Sequence, residues 1–323
     1  MHRWASKGWG DMRKLLLAIG LCFVVTGAIA QEIPARDDVR IIVVTHGSAA
    51  DPFWSVVKNG VDDAAADMGV RVEYRAPDTF DMVQMSLLID AAVAAEPHGL
   101  VVSIPDADAL ESAIRSAVDA GIAVVSINTG ADVSAELGAL VHIGQEEYIA
   151  GVGGGERMRD EGVTRAVCIN HEVGNVALDQ RCEGFADGLD GEVEVLGVHG
   201  DFTEIQSSIE IFLSRNPDIE GILALGPLGS EPALSALEAQ GMIGEVNFGT
   251  FDLSPAILEA LDAGLMSFAI DQQQYLQGYL PVVLLTLYST YGLMPGADVL
   301  TGPGFVTPET AALVVELSEL GIR

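Results

Sequence analysis

The sequence predicts an α/β fold made of two doubly wound, Rossmann-like parallel-sheet domains. Three observations carry this reading. Short β-branched runs alternate with helix-length amphipathic stretches along almost the whole chain. The runs are apolar on both faces, as strands covered by helices on both sides must be. The 293 residues from 31 to 323 exceed what one core ordinarily holds.

Taken in order, a strand at 40–45 leads to a helix over 53–68, a strand at 70–74 to a helix over 82–95, and a strand at 99–103 to a helix over 107–120. A strand at 124–128 closes this first series. Parallel strands joined in this way need right-handed crossovers. The series restarts with a strand at 141–143 and a helix at 147–160. It continues through strand 165–170, helix 177–189, strand 192–198, helix 204–214, strand 221–225, helix 231–239, strand 247–251 and helix 255–263. A further strand at 266–271, a long apolar helix at 275–288 and a terminal stretch do not fit a simple tandem. Their return to the first domain accounts for them. The expected domains are therefore 31–144 plus 272–300 and 145–271 plus 301–323, joined by a three-segment hinge near Gly144-Gln145, Asp271-Gln272 and Leu300-Thr301.

Residues 1–30 read as a cleavable signal peptide: Arg3, Lys7, Arg13 and Lys14 precede an apolar run over 15–25, and Ala28-Ile29-Ala30 supplies small residues for cleavage. The run is too short for a stable bilayer crossing, which needs about 20 residues. Leu21, not a small residue, precedes Cys22, so a lipid anchor is not expected. The full chain carries a net charge of −31, and residues 31–323 carry 12 Lys+Arg against 46 Asp+Glu, with Lys58 their only lysine. Nucleic acid is excluded as a partner on that balance. The acid is scattered through the helices, which fits either an ordinary solvated surface or adaptation to a salty medium. Cys168 and Cys182 remain after processing. In an oxidising compartment they are either bridged or two buried thiols.

In doubly wound sheets the ligand lies beyond the carboxyl ends of the strands, so the residues just after each strand carry most weight. After the first strand comes His46-Gly47-Ser48-Ala49-Ala50-Asp51-Pro52-Phe53-Trp54. Asp51 either caps the helix that begins at Pro52 or meets ligand. Two adjacent rings on a helix cannot both face one core, which leaves one of Phe53 and Trp54 for the cleft. Rings against C–H faces, with carboxylates and amides on hydroxyls, suit a polyol. Later strand ends supply Ser103-Ile104-Pro105-Asp106, Asn128-Thr129-Gly130, Asn170-His171-Glu172, Gly226-Pro227, Phe251-Asp252 and Asp271-Gln272-Gln273. Asp106 is a cap or a ligand contact; Asp252, after an apolar strand, is assigned to the site. The cluster Gly151-Val152-Gly153-Gly154-Gly155 lies within a helix, which points to close helix packing and not to a nucleotide. The histidines lack metal-ligand spacing, no Gly-x-Ser-x-Gly is present, and neither cofactor nor catalytic residue is expected. A repressor of this fold would need an N-terminal helix-turn-helix and a basic face.

The order of Asp-Pro-Phe-Trp (51–54), Ser-Ile-Pro-Asp-Ala-Asp-Ala (103–109), Val-Val-Ser-Ile-Asn (124–128), Val-His-Ile-Gly-Gln-Glu (141–146), Arg-Cys-Glu-Gly-Phe (181–185), Thr-Phe-Asp (250–252) and Ile-Asp-Gln-Gln (270–273) resembles the ribose- and galactose-type, or type I, periplasmic binding proteins. The likeness covers essentially everything after residue 30. It implies a monomeric periplasmic solute-binding component of an ABC importer, not an enzyme, that closes on a monosaccharide or related small polyol and delivers it to a membrane permease. By position it implies sugar contacts from Phe53, Trp54, Asn128, Asp252 and Gln272. It also turns Asn175, Asp179 and Arg181 toward the cleft, with Gln145 at the first hinge. Two departures argue against ribose itself: Asn128-Thr129 stands where a ribose binder has Asp-Arg, and Asp179 where a second arginine is usual. Asp179-Gln180 with Pro227 also resembles the binders of the furanose signal autoinducer-2; that function, or a chemoreceptor-coupled sugar sensor, is the alternative.

Overall fold

The structure, a computed structural model, describes residues 33–47 and 51–323. The expected signal peptide and Cys22 lie outside the described residues, as do Ser48, Ala49 and Ala50. A 3-10 turn at Arg36–Asp38 leads into β1 (Arg40–Val44), α1 (Pro52–Met68), β2 (Arg71–Arg75), α2 (Met82–Val93), β3 (Gly99–Val102), α3 (Ala107–Asp119), β4 (Ala123–Asn128), the one-turn α4 (Ala131–Ser134) and β5 (His142–Gly144). There follow α5 (Glu147–Asp160), β6 (Arg165–Asn170), α6 (Val176–Leu189), β7 (Glu192–Gly197), α7 (Phe202–Arg215), β8 (Gly221–Ala224), α8 (Pro227–Gln240), β9 (Asn247–Phe251), α9 (Pro255–Asp262) and β10 (Phe268–Asp271). The chain ends with α10 (Gln274–Tyr291), β11 (Val299–Leu300), β12 (Gly304–Val306), α11 (Pro308–Ala311) and α12 (Val315–Glu319).

These strands form two six-stranded sheets, in the orders β11-β5-β4-β3-β1-β2 and β12-β10-β9-β8-β6-β7. The fold is thus the expected pair of doubly wound α/β domains. The chain passes between sheets after β5, after β10 and between β11 and β12. β5 belongs to the first sheet, with His142 to Gly144 paired to Ser126 to Asn128 of β4. One strand departs from the parallel pattern: β12 runs antiparallel to β10 (Ala269 opposite Val306), because it enters from the third crossing and not from a helix.

Helix starts explain two further differences. α7 begins at Phe202, two residues before the expected 204, because Asp201 and Glu204 exchange side-chain and backbone hydrogen bonds in a capping box. α8 begins at Pro227 and not near 231. Proline is preorganised for the first helical position, so the helix opens directly off the β8 strand end. The glycines of α5 lie where it meets α6: a Cβ at Gly151 or Gly155 would overlap the carbonyl oxygens of Arg181 or Phe185. β6 and α6 are also joined covalently through Cys168 and Cys182, whose Cα atoms are 5.8 Å apart.

Each sheet carries one apolar cluster per face, and none of these four clusters contains residues of both sheets. The lobes are therefore held together by three chain crossings and by polar contacts, not by a common core. Among the described residues no helix is long and apolar enough to cross a membrane.

Candidate functional site

The carboxyl ends of the strands in both sheets face one cleft, the position where doubly wound sheets bind ligand. Fourteen residues line about 330 Å³ of space there. The first lobe contributes His46 just beyond β1, Asp51, Phe53 and Trp54 at the start of α1, and Asn128 at the end of β4. The second contributes His171 and Glu172 after β6, Leu178 and Arg181 on α6, Leu225 and Gly226 between β8 and α8, Pro227 at the start of α8, Asp252 after β9, and Gln272 at the second crossing.

Backbone geometry aims two of these side chains. Asn128 (φ 64°) and Asp252 (φ 65°) both adopt the left-handed region. That conformation costs a residue with a Cβ roughly 1–2 kcal/mol, least for Asn and Asp, which can satisfy local polar groups. Their side chains enter a continuous hydrogen-bonded line. Asn128 Nδ2 donates to Gln272 Oε1 (3.1 Å), Gln272 Nε2 donates to Asp252 Oδ1 (2.7 Å), and Gln277 Nε2 donates to Gln272 Oε1 (2.9 Å). The line joins β4 of one lobe to β9 of the other through a crossing residue.

Arg181 lines the pocket and is held in place by three hydrogen bonds. Its Nε and Nη2 donate to both oxygens of Glu147 (2.6 and 3.0 Å), its Nη1 donates to Leu225 O (3.0 Å), and its guanidinium lies 4.3 Å from the centre of the Phe251 ring. Burial works against its charge, yet Glu147 holds its pKa above the usual value. Gln145 Nε2 donates to Glu147 Oε2 (2.9 Å), so Gln145 lies behind the arginine and outside the pocket.

The remaining pocket groups are mostly acceptors. Asp51 caps α1 by accepting from Phe53 N (2.9 Å) and also lines the pocket. Burial pushes its pKa up to about 7, against the capping bond that favours its charge. Burial likewise pushes Asp252 up to about 7, opposed by Arg181 and Gln272. For Glu172 burial acts upward too, but His46, His171 and Asn175 outweigh it and hold the carboxyl down at about 2. Burial keeps His171 below the ordinary imidazole value. His46 Nδ1 lies 2.8 Å from Ser103 Oγ, which turns Nε2 toward Glu172 across the cleft (3.5 Å).

Phe53 and Trp54 are both buried, and both line the pocket as well as belonging to the first lobe's core. The two rings stand edge to face, with centroids 4.9 Å apart at 83°, so core packing and pocket lining are compatible for both. Trp54 lies over Gly47, where a Cβ would overlap its indole.

Asp106 accepts from Ala109 N (3.0 Å) as the cap of α3 and does not line the pocket. Asp179 is exposed on α6, where it accepts from Asn170 Nδ2 (3.0 Å). Asn175 caps α6 and donates to Glu172 Oε2 (2.8 Å), one layer behind the pocket wall. Sequence reasoning did not assign His46, His171, Glu172, Leu178, Leu225 or Gly226 to the site. The strand-end rule covers all of these except Leu178, which lies on α6 one turn before Arg181. Among the described residues no group of three or more His, Cys, Asp or Glu side chains could hold a metal ion.

A family model described as a periplasmic binding protein domain matches residues 41–291. A carbohydrate transporter protein from Acidothermus cellulolyticus, solved in complex with myo-inositol, is 35% identical, with a TM-score of 0.84, over 88% of this chain and 99% of that one. A periplasmic sugar-binding protein of an ABC sugar transporter from Legionella pneumophila is 25% identical, with a TM-score of 0.77, over 82% and 99%. The xylose/arabinose-binding protein of Sulfolobus acidocaldarius is 25% identical over 87% of this chain and 74% of its own length.

Proposed function

Since this chain belongs to the periplasmic binding protein family, and is a binding protein and not an enzyme, we propose that it is the solute-binding component of an ABC importer, closing on one neutral polyol of cyclitol or monosaccharide size. The observation that carries this reading is the balance of donors and acceptors in the cleft. Asp51, Asp252, Asn128 and Gln272 offer acceptors and amides to hydroxyl groups, while Phe53 and Trp54 offer rings to a C–H face. The one arginine is already paired with Glu147, so a carboxylate or phosphate on the ligand would find no free cation and several buried carboxylates. Neutral hydroxyl-rich rings suit such a site and anions do not.

The myo-inositol complex of the Acidothermus relative supports a cyclitol or a hexose of that shape, and the xylose/arabinose-binding relative supports an aldose. The signal-like residues 1–30 fit delivery to the periplasm, where a permease would receive the loaded protein. Of the residues on which the furanose-signal alternative rests, Pro227 lines the pocket, while Asp179 is exposed on α6 and neither it nor Gln180 lines the pocket.

Calorimetric titration with myo-inositol, D-xylose, L-arabinose, D-ribose, D-allose and D-glucose, alongside the acid sugars D-glucuronate and D-galacturonate, tests the reading. At least one neutral polyol should bind in the micromolar range or tighter, about −8 kcal/mol or better, with the acid sugars silent. Binding of an acid sugar with no neutral polyol would overturn it.

A further inference from the structure

The two sides of the cleft differ. Where α6 meets the first lobe, Val176 N donates to Pro105 O (3.1 Å) and Gln180 Nε2 donates to Asp132 Oδ2 (2.6 Å), so the lobes are bonded directly. Elsewhere a fissure of about 780 Å³ runs between the lobes and shares Asp51, His171, Glu172 and Pro227 with the ligand pocket. Its second-lobe wall carries Val173, Phe202 and Leu228, which are 65%, 45% and 42% exposed. These three are far apart in sequence, following β6, β7 and β8 respectively. Adjacent strand ends of one sheet thus each place an exposed apolar side chain at the same opening, and Phe80 lines the fissure from the loop after β2. Single exposed apolar residues are ordinary on any surface; several gathered at the mouth of a binding pocket are not.

We propose that this fissure extends the ligand site and takes an uncharged apolar substituent, so that the preferred ligand is an O-alkyl or O-aryl glycoside or ether of the polyol and not the free polyol. The proposal rests on the polyol reading of the pocket. The polyol ring occupies the inner pocket and the substituent leaves past Pro227 toward Leu228 and Phe202, shedding water from its own surface and theirs. Asp78, Asp201 and Glu231 at the fissure make it unfavourable for an anionic substituent.

The test compares, by calorimetry on the purified protein, myo-inositol, D-xylose and D-glucose with their mono-O-methyl and mono-O-phenyl derivatives at each position and both anomers. The 4-carboxyphenyl counterparts form the anionic arm. At least one phenyl derivative should bind about tenfold or more tightly than its parent. The double variant Phe202→Ser/Leu228→Ser should lose that gain while binding the parent unchanged, and the carboxyphenyl counterpart should not show it. If a parent binds but no derivative at any position binds more tightly, or if the gain survives in the double variant, the extension is wrong and the polyol reading stands. Failure of parents and derivatives alike removes the polyol reading itself.

Discussion

Asp252 concentrates the chemistry of the cleft in one side chain. It follows β9 in a left-handed conformation, lines the pocket, accepts from Gln272 Nε2, and has its pKa raised to about 7 by burial. Asp252→Ala should weaken binding of the cognate polyol by about 2–4 kcal/mol, because hydroxyls and Gln272 lose their partner, with little change in unfolding midpoint. Titration calorimetry with a denaturation control checks this, and unchanged affinity would move the site elsewhere. His142 is a different kind of residue, buried for structure. Its Nδ1 lies 2.8 Å from Ser126 Oγ, its Nε2 has no hydrogen-bond partner among the described residues, and burial lowers its pKa to about 4. Between pH 6.5 and 4 the unfolded chain binds a proton here that the folded protein refuses. Its contribution is therefore full above about pH 6.5 and disappears as pH falls to about 4, a change of up to about 3 kcal/mol. The stability difference between wild type and His142→Asn in urea should shrink by that order from pH 7.5 to 4.5; a difference independent of pH would contradict the burial of a neutral imidazole.

Two helix pairs set the frame around the site at the scale of elements. α1 carries Phe53 and Trp54, and α10 lies against it so closely that a Cβ at Gly60 would overlap Tyr275 O and one at Gly278 would overlap Val57 O. α6, which carries Arg181, meets α5, which carries Glu147, in the same way. Small residues let the backbones approach, and the approach fixes where the helix starts aim their side chains. Gly278→Ala should destabilise by about 1–3 kcal/mol through overpacking, whereas Gly296→Ala, with nothing within 4 Å of the new Cβ, should change stability by under about 0.5 kcal/mol. Chemical denaturation of the two variants distinguishes a tight interface from a merely flexible one. If both are neutral, α1 and α10 do not pack as closely as described.

At the scale of the whole molecule the proposed function asks for bending between the two lobes. Among the described residues no apolar cluster joins the two sheets, and the chain crosses between them three times. A ligand that bonds to Asn128 on one side and Asp252 on the other stabilises the closed arrangement in proportion to its preference for it. Two outcomes are expected with the cognate polyol. The radius of gyration in small-angle scattering should fall on binding, and at ligand one hundred times its dissociation constant the folded state should gain about 2.7 kcal/mol, seen as a higher melting temperature. Ligand that raises the melting temperature without compacting the protein would leave the binding intact and remove the hinge.

The sequence alone determined the strand and helix order, because β-branched runs and amphipathic periods are local signals, and it pointed to most of the pocket lining by the strand-end rule, with Arg181 of α6 added by the family resemblance. Asp51, Phe53, Trp54, Asn128, Arg181, Pro227, Asp252 and Gln272 all line the pocket. Only the tertiary structure decided the rest. Whether Asp106 and Asp179 reach the cleft depends on helix rotation, a matter of about 100° per residue that spacing does not fix once the helix end is uncertain by a turn. Whether Arg181 is free for ligand depends on Glu147, which is 34 residues away in sequence and meets it only when α5 and α6 pack. The His46 and Glu172 contact and the apolar fissure likewise need residues from both lobes. Local pattern specifies elements, but a site made where two lobes meet is a property of their packing, and no single stretch of chain contains it.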